Sequence, residues 1–256
     1  MQLSRRYAAT CRQMLKEEDL SLPKEVAKEL ADHGFSARFA EGENKELYLK
    51  LFGYRHFPLT EVVPLLKNIG LGVHSEISYR IESDERPVEV SRYRIETNDA
   101  DAIKKIEASA ESILSLVGQM LCDPRLPNTP LLRLALLENL TPRELELLDA
   151  WIGYENQLVL SFNESTITQV LIKHHPVTRA LAEHFHLRFD PAGKRSKTAL
   201  EASRRKIEDL MQPITHITED RVIRTLYEIV DKMLRTNYYL DKETIAFKVP
   251  TDTIES

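Results

Sequence analysis

The sequence predicts a mainly helical α+β protein in which a β-α-β-β-α module is followed by a helical bundle. Three observations carry that prediction. Between residues 46 and 95 apolar side chains alternate with period two in three runs, as strands require; from 103 to 121, and again beyond 130, they recur at helical spacings of 3, 4 and 7. Glycine is scarce, with 8 in 256 residues, which disfavours a fold built on phosphate-cradling loops.

Residues 3–19 and 23–33 read as short helices, the second opened by Pro23 and closed by His33-Gly34. Together they read as a helical leader. From Glu46, Leu47, Leu49 and Leu51 alternate with Tyr48, Lys50 and Phe52 as a first strand. Thr60 is placed to cap a helix through Val62, Val63, Leu65, Leu66 and Ile69, kinked slightly at Pro64 and stopped by Gly70. In the second strand Val73, Ile77, Tyr79 and Ile81 share one face, and Ser83 to Pro87 turns the chain into a third. There Val88 and Val90 have one parity while Tyr93 and Ile95 have the other, which predicts a β-bulge near Ser91-Arg92. Asn98 or Asp99 caps the next helix, where Ile103, Ile106, Ala110, Ile113, Leu114, Val117 and Leu121 form one continuous stripe.

This order is five-sixths of a ferredoxin-like β-α-β-β-α-β unit, the plan of ACT-type ligand-sensing modules. The sixth element is not evident after residue 122. Either the sheet has three strands, or a strand from elsewhere completes it, with Thr244–Val249 the best other candidate. Asp123 to Pro130 is too proline-rich for regular structure, and Leu131–Glu138 reads as helix. Thr141-Pro-Arg-Glu144 is a capping box, followed by Leu145, Leu148, Trp151 and Ile152 on a buried side. Further helices are expected at about 163–174, 176–189, 194–211 and 218–238. The last carries Val222, Ile223, Leu226, Ile229, Val230, Met233 and Leu234 in one stripe, with acidic residues at its start and basic ones at its end. The implied division is a leader over 1–44, the ACT-like module over 45–122, a helical domain over 123–240, and a terminal strand and tail over 241–256.

Composition narrows the function. With 42% hydrophobic and 29% charged residues the chain reads as globular, and a net charge of −5 provides no general attraction to nucleic acid or anionic membranes. No stretch approaches the roughly 18 apolar residues of a membrane span, and no signal peptide is evident, so a cytoplasmic location is expected. Cys11 and Cys122 lack metal or redox spacing and read as reduced, inert thiols. Asn139-Leu-Thr141 and Asn163-Glu-Ser165 match a glycosylation sequon but read as helix-start chemistry.

Three segments in order resemble the large bacterial NAD-dependent glutamate dehydrogenases. They are Leu59-Thr-Glu-Val-Val-Pro-Leu-Leu-Lys-Asn-Ile-Gly-Leu71, the His175-Pro to Arg188-Phe-Asp-Pro191 run, and Glu219-Asp-Arg with Leu234-Arg-Thr-Asn-Tyr238. The stretch from Cys122 to Leu140 departs from the family pattern. The resemblance implies the last ACT-like module and a helical connector upstream of a catalytic domain, in a parent enzyme that oxidatively deaminates L-glutamate to 2-oxoglutarate with NAD. Expected partners are that catalytic domain or other protomers of a homo-oligomer. No catalytic, metal or NAD-binding residue is expected here, because Gly70-Leu-Gly72 lacks a third glycine and precedes a strand.

The only ligand candidates are Gly53, Tyr54, Arg55 and His56, in the loop where ACT-type modules commonly place an amino-acid effector. Arg55 could hold a carboxylate in bidentate fashion; the plainer reading is a surface loop. The pairs His174-His175 and His184-x-His186 read as solvated or capping, since residues two apart on a helix point away from each other. Lys194, Arg195, Lys197, Arg204, Arg205 and Lys206 are interleaved with Glu201, Glu208 and Asp209, so intrahelical pairing is the simpler reading than nucleic-acid binding. Arg235 to Tyr238 are expected to serve packing or inter-domain contact. The implied role is a non-catalytic regulatory and assembly segment; the alternative is a free-standing amino-acid-sensing or protein-interaction module.

Overall fold

The computed structural model describes residues 21–42, 46–82, 86–96, 100–158, 162–193 and 196–250. The expected helix at 3–19, Cys11, the Asn98/Asp99 cap, the Ser83 to Glu85 part of the turn, and Lys194-Arg195 lie outside them. The chain runs α1 (Lys24–His33), β1 (Phe35–Glu41), β2 (Leu47–Gly53), α2 (Leu59–Ile69), β3 (Gly72–Ile81), β4 (Val88–Glu96), α3 (Ala100–Ala108) and α4 (Ala110–Cys122). A 3₁₀ turn at Pro130–Arg133 leads into α5 (Leu134–Glu138), α6 (Pro142–Leu158), α7 (Glu164–Lys173), α8 (His175–Phe189), α9 (Lys197–Met211) and α10 (Ile217–Lys232). A ribbon of β5 (Arg235–Thr236) and β6 (Phe247–Lys248) encloses a second 3₁₀ turn at Tyr238–Leu240.

The four-stranded antiparallel sheet has the order β1-β2-β4-β3. β2 and β3 are joined through α2 and leave room for β4 between them, as a ferredoxin-like crossover does. The missing strand is thus found, and it precedes the unit: β1 pairs with β2 from Phe35↔Gly53 to Glu41↔Leu47. This corrects the reading of 1–44 as a helical leader and both alternatives for the sheet, which has neither three strands nor a fourth from Thr244–Val249. In Phe35-Ser-Ala-Arg-Phe-Ala-Glu41 the alternating Phe35, Ala37 and Phe39 face the core, a strand signal the sequence reading passed over.

The predicted bulge in the third run is absent from β4, which pairs with β2 in unbroken register from Leu47↔Ile95 to Gly53↔Glu89. Both of its parities are covered. Tyr93 and Ile95, with Leu47, Leu49 and Leu51 of β2, join the core under α2 and α4. Val88 and Val90 join Phe52, Ile81 and two residues of α1, Val26 and Leu30, on the opposite face. The irregularity lies instead in β3, where the register shifts between Val73 and Ser75. That extra residue, His74, moves Val73 off the face of Ile77, Tyr79 and Ile81 and against the larger core.

Helix ends follow local chemistry. Gly34 (φ 71°) and Gly70 (φ 100°) adopt the left-handed conformation that ends α1 and α2. Thr60 is not a cap: the cap position is Pro58, two residues earlier, and Pro64 lies inside the helix. Thr141 and Glu144 do form the capping box, the carboxylate accepting from the Thr141 amide at 2.8 Å and hydroxyl at 2.9 Å. Asn163 caps α7 by accepting from the Thr166 amide, whereas Asn139 (φ 53°) ends α5 rather than starting a helix.

The stripe from Ile103 to Leu121 is broken at Ser109, which separates α3 from α4 and donates its buried hydroxyl to the Leu136 carbonyl. The expected helix to Tyr238 ends at Lys232. There Arg188 donates to the Val230 and Met233 carbonyls, and the Leu234 amide turns to the Lys248 carbonyl. Met233 is buried while Leu234 is exposed, so the apolar stripe stops with the helix.

One contiguous core runs through both halves, from Leu49, Leu65, Leu66 and Val117 to Trp151, Phe185, Leu226 and Ile229. Each such buried side chain is worth roughly 1.5–3 kcal/mol. The sheet module and the helices are therefore bound by a shared hydrophobic interior. Among the described residues no helix is long and apolar enough to cross a membrane.

Candidate functional site

The loop from Gly53 to His56 leaves the sheet at the end of β2 and enters α2. Gly53 is needed for space: a Cβ there would lie 2.7 Å from the Phe57 ring. That ring is buried, packs edge-on against Phe35 at 5.5 Å, and carries the Arg55 guanidinium 4.5 Å above it. We expect Gly53→Ala to cost about 1–3 kcal/mol, because the buried ring must shift. An unchanged urea midpoint would show that it moves freely.

Both terminal nitrogens of the Arg55 guanidinium are engaged within the chain. It donates to both oxygens of Glu61, at 3.1 and 2.8 Å, and to the Leu121 carbonyl at the end of α4, at 2.8 Å. The hydrogen bonds from Arg55 hold the Glu61 carboxyl below its usual range, and the same bonds raise Arg55. The loop thus ties the start of α2 to the last turn of α4. Arg86 stacks over Tyr54 at 4.8 Å and donates to its carbonyl, and His56 is exposed with its carbonyl accepting from Arg55. The four candidates are adjacent, but Arg55's bidentate fork is turned to a carboxylate of the chain itself.

A cleft of about 290 Å³ lies next to this clasp, lined by Thr60, Glu61, Leu65, Met120, Leu121 and Asn128 among others. Asn128 of its lining accepts from the Asn68 side chain through both its carbonyl and its side-chain oxygen. Cys122 follows Leu121, and burial pushes its thiol above the ordinary value. Two more clefts flank β6; the larger, about 540 Å³, lies between the ribbon and Ala150, Gly153, Tyr154 and Gln157 of α6.

The histidines of the two pairs, His174-His175 and His184-x-His186, each bond a carboxylate rather than serving as solvated or capping groups. His184 is fully buried, with Nδ1 3.1 Å from the Ser203 hydroxyl and Nε2 3.0 Å from Asp231, which Arg204 also grips. The His184 hydrogen bond, with Arg204, draws the Asp231 carboxyl down to about 2. Serine, histidine and aspartate are the residue types of a hydrolytic triad, but Ser203 is buried and none of the three clefts includes any of them. They cross-link α8, α9 and α10. His186 links Tyr239 to Glu144, and His174 joins Lys173 on Glu219. Sequence reasoning missed these links because their partners are distant in the chain. No group of three metal-ligating side chains occurs among the described residues.

Two members of the basic run pair between helices rather than within one. Arg204 pairs with Asp231 and Lys206 with Glu183, at 3.0 and 2.7 Å. Gly70 ends a helix and Gly72 opens a strand, where a Cβ would meet the Glu96 carboxylate at 2.4 Å. These residues do not fit a dinucleotide pyrophosphate, which needs a strand-to-helix turn with free amides.

Comparison with known proteins agrees with this architecture. A family model described as the glutamate dehydrogenase ACT3 domain matches residues 35–108, and one described as glutamate dehydrogenase helical motif 3 matches residues 129–191. The first begins at β1, the strand absent from the sequence reading. The chain is 28% identical over 212 residues to the NAD-specific glutamate dehydrogenase of Halomonas elongata, covering 82% of this chain and 13% of that protein. It is 28% identical to that of Pseudomonas aeruginosa, over 80% of this chain and 13% of the relative. For Mycobacterium tuberculosis the identity is 24%, over 85% of this chain and 14% of the relative. The chain thus spans only about 13–14% of the length of these relatives. With two domain models in order over more than half of its residues, the chain belongs to the NAD-specific glutamate dehydrogenase family, as the region of the ACT3 domain and helical motif 3.

Proposed function

We propose that this chain serves as a non-catalytic regulatory and assembly segment of a cytoplasmic, homo-oligomeric NAD-specific glutamate dehydrogenase. The parent reaction would convert L-glutamate, NAD and water to 2-oxoglutarate, ammonium and NADH, with NAD held outside this segment. The observation that carries the reading is the succession of ACT3 domain and helical motif 3 on one contiguous core. Such a core transmits displacement as a packed solid rather than absorbing it in a linker. Its partners would be the catalytic domain and other protomers.

The test is complementation of a parent enzyme lacking this segment. Adding the chain in trans, or restoring it in cis, is expected to recover assembly and activity. Recovery by neither route, with both proteins folded, would refute the reading.

An amino-acid effector is the regulatory ligand this reading favours, bound at Gly53 to His56 and the adjoining cleft. Its carboxylate would replace Glu61 on Arg55, and Glu61 would be released towards its ammonium group. Calorimetry of the chain against a panel of amino acids should give saturable heat that Arg55→Ala abolishes. Saturable heat with NAD instead would contradict the placement of the cofactor outside this segment.

A further inference from the structure

The last turn of α4 is held from two sides. Arg55 donates to the Leu121 carbonyl at 2.8 Å, and two residues earlier Gln119 donates its side-chain amide to Glu146 Oε1 of α6 at 2.6 Å. The other oxygen of Glu146 accepts from Arg143. Glu146 is only 9% exposed, so both halves of its carboxylate are satisfied by protein and little water can substitute. Arg143 then reaches onward: it donates to the Lys242 carbonyl at 3.0 Å and the Tyr238 carbonyl at 3.5 Å, and its guanidinium lies 5.4 Å from the Tyr238 ring.

These contacts form an unbroken path from the β2–α2 loop to the terminal ribbon. The links from Arg55 to Leu121, from Gln119 to Glu146 and from Arg143 to the Tyr238 and Lys242 carbonyls join segments far apart in sequence, while Arg143 and Glu146 pair one turn apart within α6. Beyond its short β5–β6 pairing, the ribbon is held by the Leu234 amide to Lys248, the Asn237 amide and the Thr236 hydroxyl to Ala246, and the Asn237 side chain bonding Thr244 and Ala246, with Phe247 edge-on to Tyr154 at 5.3 Å. Loss of Arg143 would remove a support from the turn the ribbon encloses.

We propose that the last turn of α4 is a coupling element: through Gln119, Glu146 and Arg143 it transmits the state of the Arg55–Glu61 clasp to the β5–β6 ribbon. The inference rests on the regulatory reading above and names its regulation. A ligand that draws Arg55 away from Glu61 and Leu121 loosens the end of α4. Gln119 shifts on Glu146, Arg143 follows, and the ribbon opens. The direction is reciprocal, so a partner that rigidifies the ribbon tightens the clasp.

Hydrogen exchange of the whole 256-residue chain tests this at the amides of Leu234, Asn237 and Ala246. Arg55→Lys keeps the charge but loses the fork, and Glu61→Gln weakens the clasp from the other side should Arg55→Lys fail to fold. Either is expected to speed ribbon exchange roughly 2- to 30-fold, the range of energetic coupling between packed sites. In a Gln119→Ala background the same change should have no further effect. Ribbon exchange that ignores the clasp, or an equal response with and without Gln119, would overturn the coupling. The effector reading is judged separately by calorimetry: absence of amino-acid binding removes the ligand but leaves the exchange result to decide the path.

Discussion

Replacing Glu155 by glutamine or methionine is expected to stabilise the protein at pH 8 and to flatten its pH dependence. Glu155 lies on α6, fully buried, and neither oxygen has a hydrogen-bond partner among the described residues. One turn earlier the Trp151 indole nitrogen is buried and equally unpartnered, so the two lie in an apolar interior that offers neither a counter-charge nor an acceptor. Burial alone pushes the Glu155 carboxyl up to about 8. The native state then holds a proton that the unfolded chain releases above about 4.5.

The sign follows from that proton. Below about pH 4.5 both states are protonated and Glu155 does not make stability depend on pH. Between about 4.5 and 8 the folded state binds more protons, so stability falls by at most about 1.4 kcal/mol per pH unit, and above about 8 the loss levels off near 5 kcal/mol. That is comparable to the whole stability of many domains, about 5–15 kcal/mol. Asp149, raised by burial and by Glu164, adds to the same trend. Urea unfolding at pH 5.5, 7 and 8.5 distinguishes the outcomes: Glu155→Gln should remove most of the decline, and Glu155→Met should also gain the packing of an apolar chain. Parallel profiles for wild type and variants would show that Glu155 finds a partner or is hydrated in solution.

Much of the fold could be read from the sequence where a segment has one buried face and local stop signals. Strand β2, helices α6 to α9 and the capping box at Thr141 belong to this class, because alternation, helical spacing and capping are local properties. Failures came where the partner is remote. Strand β1 carries the alternation of Phe35, Ala37 and Phe39, but it is only seven residues long and follows α1 directly, so its pairing with β2 is what reveals it. The parity conflict in Val88 to Ile95 looked like a bulge because one buried face was assumed; α1 covers the second. Likewise α10 ends at Lys232 because carbonyls there are taken by Arg188 and the chain is recruited by β6, neither visible in a helical stripe. In the candidate site, the sequence marked the loop and Arg55 but not Glu61, whose acidic position in the first turn of α2 is ordinary helix chemistry.

His184→Ala is expected to cost about 3 kcal/mol at pH 7, more than most exposed substitutions, because two losses combine. The variant leaves a cavity between α8, α9 and α10, and removes the donor that Asp231 uses at 3.0 Å. With Asp231 ionised, the Nε2 proton is donated to it, and in the neutral imidazole Nδ1 accepts from the Ser203 hydroxyl. Ser203→Ala, which removes one neutral hydrogen bond, should cost about 1 kcal/mol. The acid limb provides an independent check. Asp231 is held at about 2 in the folded state, so its contribution of about 2 kcal/mol is present above its unfolded value near 4 and is lost as pH falls towards about 2. Without His184, the largest cause of that depression, Arg204 alone should hold the carboxylate and this acid-side loss should shrink. Equal costs for the serine and histidine variants, with an unchanged acid limb, would mean that packing rather than the charged hydrogen bond joins the three helices.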